Sequence, residues 1–262
     1  MTPTLGRSPW LPETVRSVAE LPFPVRHVLV APPAEVARLR NSFPNVTVAE
    51  ETGGGMYAAI NRGAAAIDDW DLLTYINDDD SLLPGFRSVA LCASKNAHLP
   101  FLAYGRVRLI DASGRRIGTI PVSPLPSINR ALYAQRIEPM SQQGSLVTRT
   151  AWEKLGGYDT SWKLCGDSDF LARACVAGVR FRFVNRTVGT FRLRAGQLTK
   201  SRGQMLEERE RIDRNLELLA PKRAPRYLLA RGVFRLYNAS AYIERVVRHG
   251  FHSYLDVVNR FD

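Results

Sequence analysis

Cysteine is scarce in this chain, and that narrows its chemistry at once. Cys92, Cys165 and Cys175 are odd in number, widely spaced and without metal-ligand patterning. They exclude a disulfide scaffold and a thiolate metal site, and they fit reduced, packed thiols of a cytoplasmic protein. Histidine is nearly as rare: His27, His98, His249 and His252 form no ligand cluster, so a His-based zinc centre is not expected. No stretch approaches the roughly 18 consecutive apolar residues of a membrane span. The opening residues, MTPTLGRSPWLPE, lack the basic-then-apolar layout of a secretory leader. The expected location is therefore cytoplasmic, with a peripheral position on the inner face of a membrane as the variant.

Acid is also in short supply. Against 36 lysines and arginines stand 25 acidic residues, a net charge of +11, which favours anionic partners. The imbalance is local. From Arg180 to Arg202 the chain holds Arg180, Arg182, Arg186, Arg192, Arg194, Lys200 and Arg202 with no acid among them, and between Lys222 and Arg248 the only acid is Glu244. The acids gather instead around residues 68–80.

With 45% hydrophobic and 23% charged residues, the chain has an ordinary globular balance and can bury a sizeable core. Its first hundred residues alternate strand and helix signals, as in a mostly parallel sheet with helices on its faces. Extended segments are expected at Thr2–Thr4, Val25–Ala31, up to Glu50 and at Leu72–Ile76. Helices are expected over Pro12–Glu20, Ala34–Asn41, 56–67 and Pro84–Lys95. Phe101–Ile110 and the following RIGTI read as a hairpin around the turn Asp111–Gly114. Residues 121–141 are proline-rich and read as a mobile loop, and Gln142–Arg149 as a buried strand. A helix then ends at Gly178, and strands with one basic face run from Val179 to Arg194. Beyond about Gln204 two or more amphipathic helices remain, broken by Pro221 and Pro225. The expected organisation is a domain of residues 1–200 followed by a basic helical extension, 201–262.

The most informative segment is Leu72–Pro84, LLTYINDDDSLLP. A buried strand runs straight into Asn77 and three consecutive carboxylates, Asp78, Asp79 and Asp80. Adjacent negative charges repel and must be solvated or neutralised. The carboxyl end of a strand in an open α/β sheet is where ligands bind, and hard oxygen ligands suit Mg²⁺ or Mn²⁺ completed by substrate phosphates. A polar turn capping the next helix accounts for one of the three acids. Two further features are weaker alone. The glycines of TGGGMYAAINRG open a helix whose backbone amides suit phosphate, although a glycine turn needs no ligand. Asp167 and Asp169, behind Gly166, suit either a chemical role or the capping of a helix.

Taken in order, GGGMYAAINRGAAAIDDWDLLTYINDDDSLLPG, QQGSLVTRTAWEKLGGYDTSWKLCGDSDFLAR and FRLRAGQLT resemble glycosyltransferase family 2, over roughly residues 1–200. The resemblance implies a GT-A fold: an α/β, Rossmann-like mixed, mostly parallel sheet flanked by helices, here with a C-terminal helical extension. It implies transfer of a sugar from a nucleotide-diphosphate donor to an acceptor hydroxyl with inversion, in surface polysaccharide or glycolipid synthesis. Asp80 with Asp78 would hold the divalent cation, Mn²⁺ or Mg²⁺, that neutralises the leaving diphosphate. Asp167 would be the general base. Thr2, Pro3, Thr4, Asn61, Asp79, Arg192 and Arg194 would contact the donor, and Gln143 and Asp169 the acceptor.

A catalytically degenerate nucleotide- or glycan-binding or scaffold protein of the same fold is the alternative. It is motivated by Ala58 where the family pattern has an acid and by Val30-Ala31-Pro32-Pro33 where it has a nucleotide-contacting Asp. A phosphatase is disfavoured by Leu82 where its motif expects threonine. Nucleic acid is not an expected partner, because no DNA-binding motif or base-stacking platform appears. The basic, amphipathic tail suits an anionic membrane surface presenting a lipid-linked or glycan acceptor, and a homodimer through the same helices is the other option.

Overall fold

The computed structural model describes residues 1–194, 202–218 and 224–251. The first third builds a parallel sheet. Strand β1 (Thr2–Pro3) leads into helix α1 (Leu11–Ala19), then come β2 (Val28–Ala31), α2 (Pro33–Ser42), β3 (Thr47–Glu50) and α3 (Met56–Ala65). The order is β1-β2-β3, with Thr2 opposite Leu29 and Val28 opposite Thr47. All four residues of β2 are buried, as expected for a strand covered on both faces.

The second part is mixed. Strand β4 (Leu72–Leu73), helix α4 (Phe86–Ser94), the hairpin β5 (Phe101–Ile110) and β6 (Arg116–Thr119), helix α5 (Asn129–Tyr133), strand β7 (Ser145–Thr148), helices α6 (Arg149–Leu155) and α7 (Gly166–Val176), and strand β8 (Arg180–Arg192) follow in turn. Here β5 is central, antiparallel to β6 and β7 and parallel to β8, while β4 borders β7. Main-chain bonds from the Met1 amino group to the Thr74 carbonyl and from the Ile76 N–H to the Met1 carbonyl connect the two parts. The result is the expected mixed sheet flanked by helices, with an all-parallel first part and the long parallel pair β5–β8 in the second.

Two expectations shift. The strand expected over Leu72–Ile76 stops after Leu73, because residues 74–76 bond to Met1 and to side chains rather than to a ladder. The segment 121–141 is not a bare loop. It contains α5, and Val122, Leu132 and Tyr133 are buried; proline interrupts regular structure here without preventing packing.

Helices α8 (Arg202–Asn215), α9 (Pro225–Tyr237) and α10 (Ala239–His249) close the chain. Ile212 and Leu218 enter the main core with Tyr104, Tyr133 and Phe170, while Ala230 and Phe234 pack on Leu132. Among the described residues no helix is long and apolar enough to cross a membrane. The remainder of FRLRAGQLT beyond Arg194, together with Pro221 and Arg223, lies outside the described residues.

An apolar cavity of about 510 Å³ lies at the amino-terminal end of the strands, bordered by Met1, Val28, Leu73, Ile67 and Phe86, with no acid in its lining. The acidic cluster sits at the opposite, carboxyl end.

Candidate active site

The acid triplet follows β4 and is held by three separate parts of the chain. Thr4, just past β1, donates its hydroxyl to Asp78 Oδ2 at 2.5 Å, and Ser8 donates to the Asp78 carbonyl at 2.8 Å. Asp79 is 3% exposed, and Oδ2 pairs with Arg194 Nε at 3.1 Å. Asp80 is fully buried: Oδ1 accepts the Arg192 backbone N–H at 2.7 Å, and Oδ2 accepts from Gln143 Nε2 and Asn77 Nδ2, each at 3.2 Å. Burial and the neighbouring Asp79 charge push Asp80 up to about 8, against three hydrogen bonds that lower it. Asp78 is raised too, by burial first and then by Asp79, with Thr4 and Arg194 opposing.

Arg192 is the largest fully buried side chain. Its Nε donates to the Asp79 carbonyl (2.8 Å), Nη1 to the carbonyls of Asp111 and Ala112 (3.3 and 3.2 Å), and Nη2 to Glu13 (2.7 Å). A guanidinium enclosed in this way ties the acid turn to the β5–β6 turn and to α1. Arg192 is the residue expected to contact the donor, and here its guanidinium is filled by protein acceptors. Arg194 is 44% exposed in its side chain and lies 5.5 Å from the Trp10 ring, while Arg192 lies 5.2 Å from the same ring.

Asp167 opens α7 beside an aromatic wall. Gly166 lets the helix start there, because a Cβ would lie 2.6 Å from the ring of Tyr57. Tyr57 stacks on Tyr158 with centroids 5.5 Å apart, Tyr158 stacks on Phe170 at 4.6 Å, and Tyr75 meets Tyr158 edge-on at 5.6 Å. This apolar surround, and then the charge of Glu138, raise Asp167 to about 6, while the Ser168 N–H donated at 2.8 Å opposes the shift. Tyr75 is buried in the same wall. Its hydroxyl is held far above its ordinary range by burial first, and then by Tyr158, Asp167, Tyr57 and Asp80.

The other expected site residues divide. Gln143, expected to contact the acceptor, stands against Asp80 and also accepts from the Ser141 hydroxyl. Asp169, 4% exposed, is turned to Arg173 Nε at 2.7 Å, and that arginine also holds the carbonyls of Leu155 and Gly157. Asp169, expected on the acceptor side, here holds the arginine that anchors the 155–157 turn. Asn61, expected to contact the donor, clasps Tyr158 from both sides, donating to its carbonyl at 2.7 Å and accepting its N–H at 2.9 Å, and so braces the aromatic wall. Thr2 is fully buried against His27 Nε2 at 2.9 Å. Pro3 stays in β1, paired opposite Val30.

Sequence reasoning missed a charged relay behind Asp167. Ser168 Oγ donates to Glu138 Oε1 at 2.8 Å, and Arg209 of α8 pairs with the same carboxylate. Glu208, one residue earlier, accepts the backbone N–H groups of Lys163, Leu164 and Cys165 at 3.2, 3.0 and 2.9 Å, just before α7. Neither Glu138, in a proline-rich stretch, nor Glu208, in a run of charges, carries a local signal of these partners.

Among the described residues, no group of three or more His, Cys, Asp or Glu side chains is arranged to hold an ion. The acids present do fit a cation held by one or two carboxylates and completed by phosphate and water. Asp78 is half-exposed, and burial, with the Asp79 charge behind it, raises both Asp78 and Asp80.

No family model and no curated protein matches the sequence. The fold does have solved counterparts. TarS residues 1–349 from S. aureus, crystallised with UDP-GlcNAc, superposes with a TM-score of 0.63 at 14% identity, covering 95% of this chain and 73% of that one. The same protein with UDP gives 0.61 at 14% identity, over 96% and 73%. The mannosyltransferase PcManGT from Pyrobaculum calidifontis, in complex with GDP-Man and Mn²⁺, gives 0.55 at 15% identity, over 94% and 72%. At this identity the likeness establishes a shared glycosyltransferase-type fold.

Proposed function

We propose that this protein is an inverting glycosyltransferase that takes a nucleotide-diphosphate sugar and glycosylates an acceptor hydroxyl of a surface polysaccharide or glycolipid. One observation carries the reading: at the carboxyl end of the sheet, where ligands enter an open α/β fold, Thr4, Gln143 and the Arg192 backbone converge on the acid turn and leave Asp78 half-exposed. Solved proteins of the same fold are complexed with UDP-GlcNAc and GDP-Man, which supports a nucleotide-sugar ligand.

In this reading Asp78, backed by Asp80, would hold Mn²⁺ or Mg²⁺. The ion would supply charge neutralisation for the two donor phosphates. Arg194 and Asp79 border the donor side, and Trp10 offers an aromatic face beside them. The acceptor oxygen attacks the anomeric carbon as the bond to the diphosphate oxygen breaks, and Asp167 takes the acceptor proton. With its value at about 6, Asp167 is mostly ionised at neutral pH, as a base must be. The tyrosine wall excludes water from that side.

Calorimetry with UDP and GDP, with and without Mn²⁺, combined with a turnover assay on the matching sugars, tests this. Nucleotide affinity should rise with Mn²⁺ in the wild type but not in Asp78→Ala. Asp167→Asn should keep that affinity while losing turnover by about 10²–10⁴. A metal-independent affinity, or a fully active Asp167→Asn, would overturn the assignment. The enclosure of Asp80 by three N–H donors favours a second reading, a non-catalytic nucleotide- or glycan-binding protein. Binding without turnover of any nucleotide sugar would identify it.

A further inference from the structure

Helices α9 and α10 carry more apolar surface than the fold uses. In α9 the inward side chains are Tyr227, Ala230 and Phe234, all buried. Leu228, Leu229 and Leu236 project the other way, 46%, 68% and 80% exposed, and at 100° per residue they share one sector of the helix. In α10, Ala241 is buried, while Ile243 and Val247, one turn apart, are 62% and 79% exposed. Phe251 follows at 95%. Apolar side chains so exposed on successive helices are unusual on a surface that meets only water.

The charge around this face is of one sign. On α9 the exposed Arg226 and Arg235 flank the leucine sector, and neither Arg231 nor Arg235 has an acidic partner among the described residues. On α10 the only acid, Glu244, is already shared between Arg116 at 2.8 Å and Arg248 at 3.1 Å.

We infer that the outward face of α9 and α10 is a membrane-docking surface for an anionic leaflet, with its leucine, isoleucine and valine side chains in the acyl boundary and its arginines at the phosphates. A hydrocarbon layer edged with negative charge complements both features. A second copy of this chain meets only the first, because a symmetric contact would bring the same arginines face to face. The placement also has a chemical sense. Phe234 packs on Leu132 of α5, and Asn238 bonds to both the N–H and the carbonyl of Val122. These helices therefore adjoin the segment that carries Glu138, the acid bonded to Ser168 beside Asp167, and the docking does not rest on the proposed transferase reading.

Sedimentation of the full-length protein with vesicles of phosphatidylcholine alone, or with about one third phosphatidylglycerol, tests the inference. Binding is expected to the anionic vesicles and to weaken with added salt. The pairs Leu229→Asn/Leu236→Asn and Ile243→Asn/Val247→Asn should each weaken it by about tenfold or more, with unchanged melting and nucleotide affinity, since all four positions are exposed. Equal pelleting of the variants and wild type, or no binding to either vesicle, overturns the proposal. So does a concentration-dependent dimer that these substitutions dissolve. Retained nucleotide binding in every arm keeps a failure here separate from a failure of the transferase reading.

Discussion

Asp167 and Asp80 are both raised by burial first and by a neighbouring carboxylate second, but the consequences differ in a way that experiment can separate. For Asp167, burial acts first and the Glu138 charge second. If Asp167 is the base of the proposed transfer, it is active only when ionised, and kcat/KM should fall as pH drops below about 6. Glu138→Gln removes the like charge and frees Arg209, and both changes stabilise the Asp167 carboxylate. The acid limb of the pH profile should then move to lower pH; an unmoved or raised limb would remove Glu138 from the account. For Asp80 the consequence is stability. Its folded value of about 8 stands above the ordinary 3.8, so the native state holds a proton that the unfolded chain releases between those values. Stability therefore falls as pH rises through that window and levels off above it. In chelator, wild type should lose melting temperature between pH 5 and 8.5 more steeply than Asp80→Asn. Parallel pH dependences would show that Asp80 is not protonated in the folded metal-free protein.

At the scale of elements, α7 is the part that the rest of the site depends on, and it begins without a capping side chain of its own. Glu208 of α8 supplies the missing acceptor from 43 residues away, bonding to Cys165 and the two residues before it. Burial would raise its carboxyl, yet these N–H donors hold it below its usual range. A depressed acid contributes stability above its unfolded value that is lost as pH falls through the folded one. Glu208→Ala should cost about 1–3 kcal/mol near neutrality, with the difference shrinking below pH 4 in denaturant melts.

This long-range cap also explains what the sequence disclosed and what it did not. The acid turn was legible because three adjacent carboxylates have few physical excuses, and β2 because an uninterrupted apolar run fits a strand covered on both sides. The aromatic wall, the enclosure of Arg192 and the turning of Asp169 to Arg173 were not. Each depends on which faces meet after folding, and an arginine that will be buried looks in sequence like one that will bind phosphate.

At the scale of the whole molecule, a boundary near residue 200 was a natural reading of composition, since the basic helices follow it. The contacts run across that boundary. Ile212 and Leu218, 1% and 3% exposed, sit in the main core. Arg136 pairs with Asp213 at 2.7 Å, and Phe234 fills the ground beside Leu132. Burying an aliphatic or aromatic side chain contributes about 1.5–3 kcal/mol, so removing these three alone withdraws several kcal/mol from a domain whose total is about 5–15. A chain cut after residue 201 should therefore melt about 10 °C or more below wild type, or lose its cooperative transition. If residues 1–201 melt within about 2 °C of the full chain, α8 to α10 are an appendage after all. Glu208 and Arg209 would then have to be withdrawn as supports of the Asp167 helix.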